Sequence, residues 1–179
     1  MFYQPGKTNH GLPHDPFKSC VIPRPIGWIS SLAPNGVANL APFSQFQNLT
    51  FDPPYVMFAA NQKVAGTRKD SAYNAEQTGE FVWNMATYDL REAVNISGME
   101  VPADTDEFDL AGVTKAPSHL IKPPRVAESP IHFECAYHST LRLPGNEGLG
   151  SVDIVIGRVL AIHISDEVLT SDGLIDVLK

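Results

Sequence analysis

The sequence predicts a mainly β domain, a barrel carrying a few helices, on three observations. Runs rich in β-branched and aromatic residues recur along the chain, each bounded by Pro, Gly or Asn. Only two segments show a helical pattern with start and stop signals. The strand runs do not alternate with helices as a parallel α/β sheet requires, so a closed barrel accounts for them better.

The elements follow in order. Residues 1–20 lack periodicity and read as an irregular arm, laid over a neighbour, ahead of one domain at 21–179. Pro23 and Pro25 hold Arg24 extended. A strand is predicted from Ile26 to Leu32, a tight turn at Pro34-Asn35-Gly36 and a return strand from Val37 to Leu40. Phe43, Phe46, Leu49 and Phe51 alternate imperfectly, as in a bulged strand. After Pro53-Pro54, Tyr55 to Ala60 is a short buried strand. Thr67 to Thr78 reads as a helix capped by Thr67 or Asp70 and ended by Gly79. Glu80 to Met85 is a strand, and Thr87 caps a second helix from Tyr88 to Ser97, with Gly98 beyond it. Residues 99–130 read as a long connection with one short turn, a length that often marks function or an interface. Ile131 to Leu141 and Val152 to Ile164 are the last strands, the second bent or bulged at Gly157. There is no internal repeat.

Composition narrows the function. The 179 residues suit one domain with a sizeable core, and 43% are hydrophobic. Thirteen basic against 20 acidic residues give a net charge of -7, which disfavours nucleic acid. No apolar run approaches the roughly 20 residues of a membrane helix, and no secretory signal opens the chain, so a cytoplasmic setting is expected. Cys20 and Cys135 have no metal spacing and read as reduced, semi-buried side chains. Gly145, Gly148 and Gly150 form a reversed GxxGxG, read as a flexible loop. Asp104, Asp106, Glu107 and Asp109 read as a solvated acidic run, and His10, His14, His119, His132 and His138 as surface or packing residues. Trp28 and Trp83 read as core or interface aromatics.

One feature breaks a local rule. Arg68 and Lys69 stand at the start of the first predicted helix, where the backbone is partially positive and cations are disfavoured by ~0.3–1 kcal/mol each. Either Asp70 and Glu76 offset them, or an anion binds there. In the second case free N–H groups, Arg68, Lys69 and the hydroxyls of Thr67 and Ser71 converge on a phosphate. A second polar cluster is Ser30-Ser31 with the stretch from Asn39 to Ser44, either ordinary turn chemistry or a surface that lets a ligand approach backbone amides.

Two long segments carry a resemblance. PRPIGWISSLAPNGVANLAPFSQFQNLTFDPPYVMFAAN and KDSAYNAEQTGEFVWNMATYDLREA, followed by PPRVAESPIHFEC and GRVLAIHI, resemble the flavin reductase-like, FMN-binding split-barrel family over about residues 13 to 178. The resemblance implies a homodimer holding FMN near the subunit boundary. It places Arg24, Ser30 and Ser31 along the flavin and its ribityl chain, and Asn39, Ala41, Pro42 and Ser44 near the ring. Lys69, Asp70 and Ser71 would anchor the phosphate with Arg68 beside them, and Asn48 and Asn61 are further candidates.

The activity implied is an FMN-dependent oxidoreductase that takes electrons from NAD(P)H, serving a partner monooxygenase or passing electrons as a flavoprotein. The alternatives are a non-catalytic FMN carrier and a structural barrel without cofactor. Many relatives carry an Asp-His pair linked to nicotinamide before the penultimate strand. Here Ser151-Val152-Asp153 occupies that place, which disfavours direct NAD(P)H oxidation. His163 reads as structural rather than functional. The Arg-Leu-Gly-Gly-Tyr-like tail of many relatives is not in this sequence, so part of the site is expected from elsewhere. No catalytic acid or base is singled out.

Overall fold

Gly27–Leu32 (β1) and Ala38–Phe43 (β2) form the expected hairpin, joined antiparallel around the Asn35-Gly36 turn. The computed structural model describes residues 1–63, 66–145 and 151–177; Gly148 and Gly150 of the glycine loop lie outside them. Five further strands complete the main sheet: Phe46–Phe51 (β3), Pro54–Asn61 (β4), Glu80–Asn84 (β5), Ile131–Leu143 (β8) and Val152–Ile164 (β9). The order is β2-β1-β5-β8-β9-β4-β3, and every pairing is antiparallel. The register shifts between Asn48 and Thr50, the bulge that the uneven apolar spacing predicts.

The sheet curls on itself. All seven strands contribute to one apolar cluster, among them Ile29, Phe43, Phe46, Phe58, Phe81, Cys135 and Val155. The Ala59 N–H donates to the Gln45 carbonyl at 2.8 Å, tying the β2–β3 bend to β4. Asp70–Thr78 (α1) closes the cluster with Ala72 and Ala75, which share a helical face with buried Ser71 and Asn74. A smaller cluster forms around Trp28, Leu40 and Phe108, covered by Arg91–Ser97 (α2) and Glu107–Ala111 (α3).

Several expectations need correction. The first helix starts at Asp70, not Thr67, and its cap residue is Lys69, with no side-chain capping bond. Gly79 does end it, at φ 79°. The second starts at Arg91, because residues 87–90 form turns in which the Thr87 carbonyl accepts from the Leu90 N–H. The connection 99–130 is more structured than a loop. It holds α3 and a ribbon of Lys115–Ala116 (β6) with Arg125–Val126 (β7). Gly157 carries no bulge itself. Opposite Gly157 the extra residue is His138 on β8, where the register shifts between Tyr137 and Ser139; β9 carries its own extra residue nearby, Leu160, at the shift between Glu134 and Cys135. An added Cβ at Gly157 would lie 2.4 Å from the Phe81 ring, so the glycine permits a close approach.

Cys20 is exposed rather than semi-buried, and burial pushes the Cys135 thiol pKa up. The N-terminal arm is irregular apart from one 3-10 turn at Phe17–Cys20. No described helix is long and apolar enough to cross a membrane.

Candidate functional site

A cleft opens where α1 begins. β2 forms one wall with Asn39, Ala41 and Pro42. Lys63, Lys69, Asp70 and Ser71 form the floor, and Ser97 to Val101 with Glu107 close the far side. Pro42, which lacks an N–H, is tolerated because β2 is a sheet edge. An added Cβ on Gly98 would come within 3.2 Å of the Pro42 ring, so the segment after α2 lies directly against β2.

The α1 side is held by side-chain amides. Asn39 Nδ2 donates to Ser71 Oγ at 2.8 Å, and Asn74 Nδ2 to Ser31 Oγ at 3.3 Å. On the other side Trp28 Nε1 donates to Ser97 Oγ at 2.9 Å, fixing the end of α2.

The cations differ in their partners. Lys63 Nζ meets Asp70 Oδ2 at 2.6 Å. Arg68 bonds Glu76 at 2.7 Å and Asp153 at 2.6 Å, and Arg142 bonds the same two carboxylates. Burial alone would raise the Glu76 pKa, but the two guanidiniums outweigh it and hold the carboxyl below its ordinary value. Lys69 is half-buried, lines the cleft and has no carboxylate partner among the described residues. It stands at a helix start that no side chain caps. Free backbone N–H groups and an unpaired ammonium at one point are the features that attract an anion.

The structure brings together Asn39, Ala41, Pro42, Lys69, Asp70 and Ser71 of the sequence-predicted residues. Arg68 is committed to its ion network. Ser30 and Ser31 are fully buried behind the wall: the Ser30 hydroxyl donates to the Pro124 carbonyl at 2.6 Å and accepts from Asn84. Arg24 donates to the Lys18 and Val21 carbonyls of its own arm. Ser44 is half-buried in the β2–β3 bend. Asn48 is exposed on β3 and accepts from Gln47, and Asn61 ends β4 opposite Val152.

Two residues of the cleft escape a sequence reading. Lys63 is held beside the start of α1, where its N–H donates to the Thr67 carbonyl and its carbonyl accepts from the Gly66 N–H, both at 2.8 Å. Glu107 reads as part of a solvated acidic run, yet it is 6% exposed and its Oε2 accepts the Leu40 N–H at 3.1 Å. Burial raises its pKa; the N–H bonds from Leu40 and from its own backbone oppose this, and the charges of Asp70 and Asp106 add to the rise. Asp106 caps α3 by accepting from the Phe108 N–H at 3.0 Å and pairs with Lys115. Asp153 is occupied by Arg68 and Arg142. His163 donates to buried Glu134 at 2.6 Å. His132 is buried, the packing alternative of its reading, and that burial lowers its pKa.

The chain is 38% identical over 156 residues to an uncharacterised protein of Halalkalibacterium halodurans, covering 87% of this chain and 74% of that one. Nitrilotriacetate monooxygenase component B from Bacillus cereus superposes with a TM-score of 0.87 at 30% identity, covering 98% of this chain and 86% of that one. The 2-nitrobenzoate 2-nitroreductase of Pseudomonas fluorescens superposes with a TM-score of 0.74 at 26% identity, covering 88% and 73%. The model of the flavin reductase like domain matches residues 19–176, and the chain, a mainly β split barrel, belongs to that family.

Proposed function

We propose that this chain is an FMN-binding flavoprotein oxidoreductase whose cofactor phosphate is held at the start of α1. The observation that carries the reading is Lys69, a half-buried ammonium in a cleft, unpaired among the described residues while Lys63, Arg68 and Arg142 are all paired. Lys69 and the N–H groups of Asp70 and Ser71 bind the phosphate, with the Ser71 hydroxyl beside them. Asn39, Ala41 and Pro42 border the rest of the ligand. Ser30 and Ser31 act by supporting the wall, and Arg68 by bracing the segment that carries Lys69. When bound, the cofactor supplies hydride and one-electron chemistry, and the protein supplies position and polarity.

The cleft of one protomer encloses about 60 Å³. Pockets that bury a drug-sized ligand run roughly 300–1,000 Å³. The space suits a phosphate and not an isoalloxazine ring, which supports a homodimer whose second copy completes the site. The Bacillus cereus relative is named as a monooxygenase component, which supports a partner monooxygenase as the acceptor. The test is the visible spectrum of the purified protein and a titration with FMN. A flavin-like absorbance, or FMN binding that raises the melting temperature, is the expected result. A colourless protein unaffected by FMN overturns the reading.

The ion network around Asp153 favours a second reading, an FMN carrier that does not itself oxidise NAD(P)H. Anaerobic addition of NADH or NADPH separates the two. Bleaching of the bound flavin marks the reductase. Bleaching by dithionite alone marks the carrier.

A further inference from the structure

A cleft built for an anion has no evident use for a buried carboxyl, yet Glu107 lies in its wall. The groups that face it decide what that carboxyl does. α1 presents Asp70 and Lys69, the segment after β4 presents Lys63, and the segment after α2 presents Glu100. On its own element Asp106 is adjacent and pairs with Lys115. β2 offers no charge, only the Leu40 N–H and the Asn39 amide. Asp70 already neutralises Lys63, which leaves Lys69 as the one cation free to meet a ligand among the described residues of the cleft.

An ionised Glu107 would cancel that single charge, and a phosphate arriving beside it would be repelled in a poorly solvated space. The carboxyl cannot swing clear, because it is buried and tied to the Leu40 N–H. Protonation is the remaining relief. A neutral acid still accepts from Leu40 through one oxygen and gains an O–H donor on the other. We propose, on the basis of the flavin reading above, that Glu107 is a specificity-determining residue of the phosphate subsite, carried as the neutral acid when the phosphorylated flavin is bound. Binding of FMN therefore takes up one proton from solvent, and release of FMN returns it. Riboflavin, which lacks the phosphate, binds without this exchange. Direct neutralisation of a phosphate by lysine alone has the opposite sign, since it favours the dianion and expels a proton.

The test is calorimetric titration of the full-length, flavin-free chain with FMN and with riboflavin, slightly above neutral pH. Running it in two buffers of different ionisation enthalpy counts the protons. The expected result is net uptake with FMN and none with riboflavin, measurable on the unaltered protein. Glu107→Gln keeps the Leu40 bond and removes the titration. Its proton uptake on binding FMN is expected to vanish. The affinity of the unaltered chain relative to E107Q is expected to fall about tenfold per pH unit once Glu107 ionises. The ionisation of the phosphate itself is common to both proteins and cancels in that ratio. FMN binding to both proteins with equal proton exchange overturns the role of Glu107 and leaves the flavin site standing. An absence of FMN binding to the unaltered chain overturns the flavin site and this inference with it.

Discussion

Arg68 and Lys69 are adjacent cations with different surroundings, and the difference is testable. Lys69→Ala removes a charge-assisted bond to the proposed phosphate worth about 1.5–3 kcal/mol, so FMN affinity should fall tenfold or more. The melting temperature should stay put, since Lys69 has no side-chain partner to lose among the described residues. Arg68→Ala should do the reverse: it strips a cation from Glu76 and Asp153 and should lower the urea midpoint while FMN affinity changes little. Equal effects of the two variants on affinity would contradict the division of labour. The anomaly at Lys69 was legible in the sequence because the helix-end rule is local. The pairing of Arg68 with Asp153 was not, since the two meet only once β9 lies beside β4. Glu107 was misread for a related reason. An acidic residue among other acids looks solvated until Phe108 anchors α3 under Trp28 and turns its neighbour inward.

At the level of elements, strands were easier to read than helix ends. Runs such as Tyr55 to Ala60 and Val152 to Ile164 declare themselves by composition and punctuation, and β9 has the predicted bounds. The helix starts slipped by three residues or so because several candidate caps compete in each region and burial chose among them. The structure within 99–130 was invisible because α3 and the β6–β7 ribbon are too short to carry periodicity. The Gly157–Phe81 approach supplies a prediction at this scale. Gly157→Ala places a methyl against the ring and should cost about 1–3 kcal/mol by overpacking, read from chemical denaturation. Phe81→Leu in the same chain should recover part of that loss, and strictly additive losses would show that the contact is not the cause.

For the whole molecule, the titrating groups set how stability changes with acidity. Burial raises the Glu134 pKa, but the His119 and Leu120 N–H groups and His163 outweigh it, leaving the folded value below 4.5. Glu76 has the same sign. A depressed carboxyl contributes stability above 4.5 that disappears as pH falls through its folded value. His132 acts in the same sense from 6.5 downward, since burial disfavours its cation. Glu107 acts oppositely: its contribution is present below 4.5 and is lost as pH rises through its raised value. Urea midpoints across this range should show a steep acidic limb that flattens in Glu134→Gln, and an unchanged limb would remove Glu134 from the account.

The sheet order has a consequence for how the chain reaches its native state. β1, β2 and β5 stand on one flank, β3 and β4 on the other, and the β8–β9 hairpin lies between them. The last main strands to leave a ribosome are thus the keystone. Until β9 emerges, two half-sheets wait with bare edges that only a distant part of their own chain can cover. Such a topology is slow to assemble and open to wrong pairing while it waits. A nascent chain halted before β8 should be held by chaperones or aggregate, and release of the complete hairpin should coincide with protection from protease.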